Sequence, residues 1–440
     1  MLSFFDIAVS AFYTLLFSAV VIIAPFFRLQ GLKRIYVLTA FLVKIFAGFG
    51  LTWIYTHFYD DRNLSDIFKF YDDSRFMIEA LQEKPKDYFM MLLGLDGNKP
   101  YYDQYYYQMN NWFKAYNQGW FNDTRTMIRL NAFLGLFSFG VYHVHTIFFS
   151  FIAFCGLVLI YRSVQHWFME SKWLLFAVIF FMPSVLCWTS GILKETFLLL
   201  GMGLFLFGLF SNLKARSRIS PFIYSGFGIL IMLFVKPYIL IAFIPGIMAL
   251  ALSKFLPKIQ VTWHFLASYA TCIILLFVAA QLGPQYNLLE QLSERQQSVW
   301  RLAFYVDSGS LIEVEPLNPN LLSLLRNLPE AIINTALRPS IMDAKNALQW
   351  MAAFENLMII ICMIFSIGLF KYDPSKLKIA LFISSFVIIV YALSGLTTPV
   401  LGTLVRYRVP ALPFFMMLCF LMFDHPRFNR IVNETFSRIE

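Results

Sequence analysis

Residues 141–161 read VYHVHTIFFSFIAFCGLVLIY. No Asp, Glu, Lys or Arg interrupts them, and about 20 consecutive apolar residues are what an α-helix needs to cross a bilayer core. Stretches of the same kind recur on both sides, near 4–26, 36–57, 173–188, 195–212, 221–236, 239–254, 263–281, 350–370, 379–397 and 409–423. In a bilayer every backbone polar group needs a partner within the protein, which an α-helix supplies internally. The sequence therefore predicts an all-α fold, a polytopic transmembrane helical bundle of about 11 helices, with residues 1–440 as one transmembrane domain.

Composition agrees. Of the 440 residues, 59% are hydrophobic and 14% charged, against roughly 25% charged for soluble domains. The first apolar stretch lacks a basic lead-in and a small-residue cleavage site, so it reads as a retained helix. The formal charge of +9 is spread over short loops and forms no stripe. This favours an acidic membrane surface and argues against nucleic acid. Cys155, Cys187, Cys272, Cys362 and Cys419 all fall in apolar stretches without metal-ligand spacing. They read as small buried residues, with neither a disulfide framework nor a zinc site.

The connectors alternate in charge. One set holds Arg28, Lys33 and Arg34; Arg162 and Lys172; Lys214, Arg216 and Arg218; Lys254 and Lys258; Lys371, Lys376 and Lys378; and Arg427, Arg430 and Arg438. The opposite short connectors hold only Lys194, Lys236, Arg406 and Arg408. The positive-inside rule puts the first set in the cytoplasm, the N-terminus outside and the C-terminus inside the cytoplasmic membrane. Two long segments, 58–140 and 282–349, then fall outside, with amphipathic surface helices expected in both. The first is rich in aromatics, among them Tyr101, Tyr102, Tyr105, Tyr106, Tyr107, Trp112 and Trp120. These suit a membrane–water interface or a carbohydrate-facing cleft. Sequons at Asn63, Asn122 and Asn433 are short enough to arise by chance and carry no weight.

Residues 58–82, FYDDRNLSDIFKFYDDSRFMIEALQ, hold the densest acidic cluster. Ser65 is placed to cap a helix starting at Asp66. Ile67, Phe70, Tyr71, Met77, Ile78 and Leu81 then share one face, with Asp66, Lys69 and Asp73 off it or at its edge. This predicts an amphipathic helix lying along the outer membrane surface. Asp60, Asp61, Asp66, Asp72 and Asp73 collect at the mouth of the membrane domain. A carboxylate there serves as a general base, as a ligand of a divalent metal, or only as a solvated face.

Three further stretches carry charge into unexpected places. In TSGILKET (189–196), Lys194 and Glu195 stand at a helix start suited to anions, and Lys236 occupies a similar turn in VKPY. Either lysine holds a lipid phosphate or snorkels to the interface. In GTLVRYRVP (402–410), Arg406 and Arg408 lie where few basic residues are expected, and paired guanidiniums grip phosphate or pyrophosphate. In LRPSIMDAKNALQWMAAFEN (337–356), Arg338, Asp343 and Lys345 precede Glu355, which sits inside a membrane helix. Lys44 also lies inside one, and such charges face a cavity or a partner, so the two are candidates to pair. His143 and His145, two residues apart, point to different helix faces and make a poor metal pair. No Walker loop, dinucleotide fingerprint, HExxH or GxSxG elbow is present. The reaction's energy must come from an activated substrate or an ion gradient.

These residues together resemble the GT-C superfamily of integral membrane glycosyltransferases, which take sugars from polyprenyl-phosphate carriers. The resemblance rests on the acidic loop and helix SDIFKFYDDS (65–74), on the many-helix frame with short cytoplasmic loops, and on RYRVPALPF (406–414). The stretch at 338–356 is also similar to uncharacterised bacterial envelope proteins of this kind. The likeness covers most of the chain in layout and about 50 residues in motif. It implies that Asp66, with Phe70 four residues later, is the loop carboxylate. Asp61, Asp60 and Asp73 are the further catalytic candidates. Arg406, Arg408, Lys194, Lys236 and Arg338 would bind the donor phosphate. The family's acidic loop follows the first helix, whereas here it follows the second.

The expected activity is glycosyl transfer at the outer face of the cytoplasmic membrane. The partners would be a lipid-linked sugar donor, membrane lipid, and a glycan, lipid or protein acceptor. No cofactor is required by this reading, and a divalent metal at the acidic loop is one option. One alternative is a polysaccharide polymerase or ligase of the O-antigen type, using Arg326 and Arg338. Others are a transporter or flippase of lipid-linked glycans, using Lys44 and Glu355, and a structural envelope subunit.

Overall fold

A computed structural model of the chain describes residues 3–58, 62, 65–95, 99–113, 122–214, 219–305, 309–345, 347–428 and 430. Among these the protein is all-α. The extended pairing consists of two isolated antiparallel bridges, Leu311 with Val400 and Phe370 with Phe423. Asp60, Asp61, Asn63, Trp120, Arg216, Arg218, Asn433 and Arg438, singled out above, lie outside the described residues.

The chain divides into two compact units. The first comprises Met1–His166, Ile179–Phe181 and Leu186–Pro237. The second comprises Trp167–Val178, Met182–Val185 and Tyr238–Glu440. In chain order the helices are α1 (Phe4–Ile23), α2 (Arg34–Phe58), α3 (Lys69–Glu83), α4 (Pro85–Leu93), α5 (Asp103–Tyr106), α6 (Asp123–Ser138), α7 (Tyr142–Val164), α8 (Lys172–Phe180), α9 (Pro183–Trp188), α10 (Lys194–Lys214) and α11 (Ile219–Val235). Then follow α12 (Pro237–Phe255), α13 (Val261–Gln281), α14 (Leu288–Tyr305), α15 (Leu321–Leu337), α16 (Ala347–Gly368), α17 (Leu377–Thr397), α18 (Leu401–Arg408) and α19 (Leu412–Leu421).

All eleven apolar stretches are helical, but fewer than 11 pass as spans. Among the described residues eight helices are long and apolar enough to cross a membrane: α1, α2, α7, α10, α12, α13, α16 and α17. The pair α18 and α19, bent by 60°, makes a ninth if it is counted as one span. The stretch at 173–188 is interrupted before Pro183, which has no N–H to continue a helix, and becomes the short α8 and α9. Likewise Pro410 falls at the break between α18 and α19. Helix α11 has 17 residues, just too few to be counted.

Helix α7 is the buried axis of the first unit and packs against α2 and α10. The α7–α10 contact depends on small residues, as in many membrane helix pairs. A methyl group added to Gly203 would lie 2.4 Å from the Gly156 carbonyl oxygen, and one added to Gly156 would lie 2.5 Å from that of Leu199. In the second unit, α15 approaches α17 as closely. A methyl group on Gly395 would fall 2.1 Å from the Ala331 carbonyl oxygen.

The first long segment folds as a small helical body of α3 to α6. Its aromatics mostly leave the interface expected for them. Tyr102, Tyr105, Tyr106 and Trp112 are buried in one core with Phe70, Met77, Met91 and Ile128. Tyr106 stacks on Trp112 with ring centroids 4.0 Å apart. Tyr101 and Tyr107 remain exposed. The apolar face of α3 therefore packs on α4 and α6 in this protein core, where the sequence predicted a helix lying on lipid. The helix also starts later than expected. Residues 66–68 form a turn, closed by the Phe68 and Lys69 N–H groups donating to the Ser65 carbonyl, and α3 begins at Lys69. Asp73, expected off the apolar face or at its edge, is buried and accepts the N–H groups of Asn110 (3.0 Å) and Asn111 (2.9 Å).

Candidate functional site

The polar centre of the first unit forms around the start of α10. The chain between α9 and α10 carries Thr189, Ser190 and Gly191, small residues that suit a turn. It is held deep in the unit. A methyl group on Gly48 of α2 would meet the Ser190 carbonyl oxygen at 2.6 Å, so α2 approaches closely only because that residue is glycine. The Lys44 ammonium donates to the Thr189 (2.5 Å) and Ser190 (3.2 Å) hydroxyls, and the Ser150 hydroxyl donates to the Ser190 carbonyl (3.0 Å). These bonds fix where α10 begins.

Three lysine–carboxylate pairs surround that point. Lys236, next after α11, donates to Glu195 at 2.9 Å. Lys194, the first residue of α10, lies 2.5 Å from Asp123, the first residue of α6. Lys69 pairs with Asp66 across the turn that leads into α3. The second and third pairs meet at Phe70, whose ring centroid lies 5.4 Å from the Lys194 ammonium and 5.1 Å from that of Lys69. Lys69 and Lys236 are both close enough to Lys194 to repel it. Three positive and three negative side chains therefore share a single region.

Exposure decides which way the site opens. The Glu195 side chain is 1% exposed and that of Lys236 10%. Lys194 is 16% exposed and Lys69 17%. Asp123 reaches 35% and Asp66 36%. The ammonium groups line the interior and the two reachable carboxylates stand at the mouth. Chemically, a lysine paired with a reachable carboxylate can exchange it for another anion, and a carboxylate at a rim can take a proton from a hydroxyl.

Comparison with family models, with curated proteins and with solved structures finds no match.

The other expected residues fall as follows. Asp73 is occupied with the backbone of Asn110 and Asn111. Asp60 and Asp61 are outside the described residues. Among the described residues, no three His, Cys, Asp or Glu side chains group closely enough to hold a metal ion. Lys44 and Glu355, proposed as partners, each have partners in their own unit. Glu355 accepts from the Ser184 N–H (2.8 Å) and the Ser184 hydroxyl, and stands 3.8 Å from Arg408.

Arg408 is buried. It donates to the carbonyls of Thr335 (3.0 Å) and Arg338 (3.1 Å) and to the Asn356 amide oxygen (2.5 Å). Its guanidinium thereby ties the end of α15 to α16 and leaves little for a phosphate. Arg406, two residues earlier on α18, is only partly buried. Arg338 offers its carbonyl to Arg408, and Arg326 is an exposed partner of Glu315 at 3.1 Å.

Sequence reasoning missed Asp123 and Lys69 as parts of the site. Lys69 carried a signal, since it stands three residues after Asp66 and pairs across one turn. Asp123 carried none, because only the folding of α6 brings it to α10.

Proposed function

We propose that the chain is a membrane glycosyltransferase of the GT-C type. It would move a sugar from a polyprenyl-phosphate carrier to a glycan, lipid or protein hydroxyl at the outer face of the cytoplasmic membrane. The N-terminus would lie outside and the C-terminus in the cytoplasm. The observation that carries this reading is the meeting of the Asp66–Lys69 and Lys194–Asp123 pairs at Phe70. It puts a reachable carboxylate and a shielded ammonium one aromatic ring apart, at the end of an apolar helix.

The proposed reaction is one displacement. The acceptor hydroxyl attacks the anomeric carbon, its proton passes to Asp66, and the bond from that carbon to the phosphate oxygen breaks. The polyprenyl phosphate departs with its negative charge, and the anomeric centre inverts. Lys194 and Lys236 sit where that charge develops, in a largely water-excluded setting that strengthens electrostatic stabilisation. For Lys194 to take the phosphate, Asp123 must let go, which exchanges one anion for another.

The test is binding of polyprenyl phosphate to the purified protein in nanodiscs, followed by native mass spectrometry, together with transfer from a labelled polyprenyl-phosphate sugar. Lys194→Ala is expected to weaken binding about tenfold or more, the value of a charge-assisted contact. Undiminished binding and transfer by Lys194→Ala would rule out this assignment.

A further inference from the structure

A second polar site lies in the first long segment, away from the α10 lysines in its chemistry and in its partners. Arg125 and Arg129 stand one turn apart on α6, on the same face. Both guanidiniums lie over the Trp112 ring, with Cζ 4.9 Å and 5.3 Å from its centroid. Each is pinned by its Nε to a backbone carbonyl, Arg125 to Trp112 (3.2 Å) and Arg129 to Met91 (2.9 Å). Gly94 ends α4 in the left-handed region, and a methyl group there would come within 3.1 Å of the Arg129 guanidinium.

No carboxylate balances these two charges among the described residues. Asp123, the nearest acid in sequence, is given to Lys194. Asp87 accepts the hydroxyls of Tyr101 and Tyr105, and Asp73 accepts the N–H groups of Asn110 and Asn111. The ionisable side chain that both arginines feel is Tyr106, stacked on the other aromatic of the pair, Trp112. Its hydroxyl is buried beside the Arg129 guanidinium, which can donate to its oxygen, and its own proton has no acceptor among the described residues. Two forks whose charges no carboxylate answers among the described residues thus converge on one buried hydroxyl, with more donors than acceptors. Like charges one turn apart repel, and the first turns of a helix disfavour cations. Stacking on an electron-rich ring offsets part of that cost. Among the described residues no anion answers these charges.

We propose that Arg125, Arg129 and Tyr106 form an oxyanion-binding site that takes a carboxylate or phosphate group, with the ligand seated beside Trp112 and Phe113. Phe113 is half exposed and lies 5.9 Å from Arg125, so it offers an apolar face next to the charged forks. A planar fork grips such groups with two parallel bonds. The site does not depend on the proposed transferase activity.

The full chain, purified in detergent, is titrated calorimetrically with inorganic phosphate and with glucuronate at low salt. In nanodiscs with and without phosphatidylglycerol, it is examined by native mass spectrometry for retained lipid. The site requires saturable binding that the Arg125→Gln/Arg129→Gln double variant weakens about tenfold or more. Lys194→Ala should leave the arginine-dependent part of this binding in place, which separates it from the α10 site. Arg125→Lys/Arg129→Lys keeps both charges and removes the fork. It should bind more weakly than the wild type, and it serves as the test if the glutamine variant does not fold. Arginine-dependent binding of the soluble anions marks a free or glycan-borne group, whereas arginine-dependent retention of phosphatidylglycerol alone marks a lipid headgroup. Binding that is absent at millimolar anion with no lipid retained, or that is equal in the wild type and the lysine variant, would overturn the proposal.

Discussion

Lys194 and Asp123, 71 positions apart in sequence, place ammonium and carboxylate 2.5 Å apart, and each is the first residue of its helix. The two helix ends have the same polarity but receive opposite charges. A carboxylate at the start of α6 is favoured by the helix dipole, and a lysine at the start of α10 is not. Lys194 is therefore held there by Asp123 beside it, while Glu195, next in sequence, is taken by Lys236. A cation at an unfavourable helix end, compensated by one reachable carboxylate, is one that an incoming anion can take over.

Asp123→Asn follows directly from that geometry. Removing the carboxylate frees Lys194 without adding bulk. Polyprenyl phosphate should bind severalfold more tightly, because it no longer displaces a competitor. Asp123 is the more exposed of the pair, at 35%, and losing this partly screened pair should cost about 1 kcal/mol of stability. Titration in nanodiscs checks the first expectation and thermal unfolding the second. Weaker binding would show that Asp123 supports the ligand and does not compete with it.

Arg408 makes a different prediction because it is buried and both of its terminal nitrogens are taken, while its Nε has no partner among the described residues. Arg408→Met strands the Glu355 carboxylate and the carbonyls of Thr335 and Arg338. The expected loss is about 3–5 kcal/mol, as for breaking a buried ion pair from one side. Adding Glu355→Gln should return part of it. Unfolding of both variants in detergent measures the difference. An Arg408→Met protein as stable as the wild type would refute the role of Arg408 as a tie between α15 and α16.

Asp73 carries a pH signature. Burial pushes its carboxyl above the usual carboxylate range, against the Asn111 side chain and the N–H groups of Asn110 and Asn111, which favour the charged form. A folded-state pKa above the unfolded value means that the folded form holds the proton more tightly. The contribution is complete below the unfolded value and is lost as pH rises through the folded one. The stability of the wild type relative to Asp73→Asn should accordingly fall as pH increases from about 4. Chemical unfolding across that range provides the measurement, and a rise would contradict the assignment.

The fold was largely legible because the eleven apolar stretches impose it. What the sequence could not convey was continuity. The residues of α8 and α9 form an apolar run, and only the proline inside it, which cannot donate to the turn before, divides it. The acidic loop was legible in position but not in detail. Its alternation of apolar and charged residues suits a helix on lipid as well as a helix on protein, and the choice depends on α4 and α6, which meet it only after folding. The same limit applies to Asp73 and Arg408. A carboxylate or guanidinium in sequence looks available, and whether backbone groups claim it is a property of tertiary structure. Lys194 was found because its charge stood out in an apolar setting, whereas Asp123 sat among ordinary polar residues.

The central claim is that Asp66 takes a proton from an acceptor hydroxyl while Lys194 holds the departing phosphate. Its most direct test is turnover of a polyprenyl-phosphate sugar by Asp66→Asn, with binding of polyprenyl phosphate measured on the same sample. Asparagine preserves size and removes the base. Transfer should fall by about 10²–10⁴, with polyprenyl phosphate still bound and the unfolding temperature little changed. Transfer at the wild-type rate by a folded Asp66→Asn protein would contradict it.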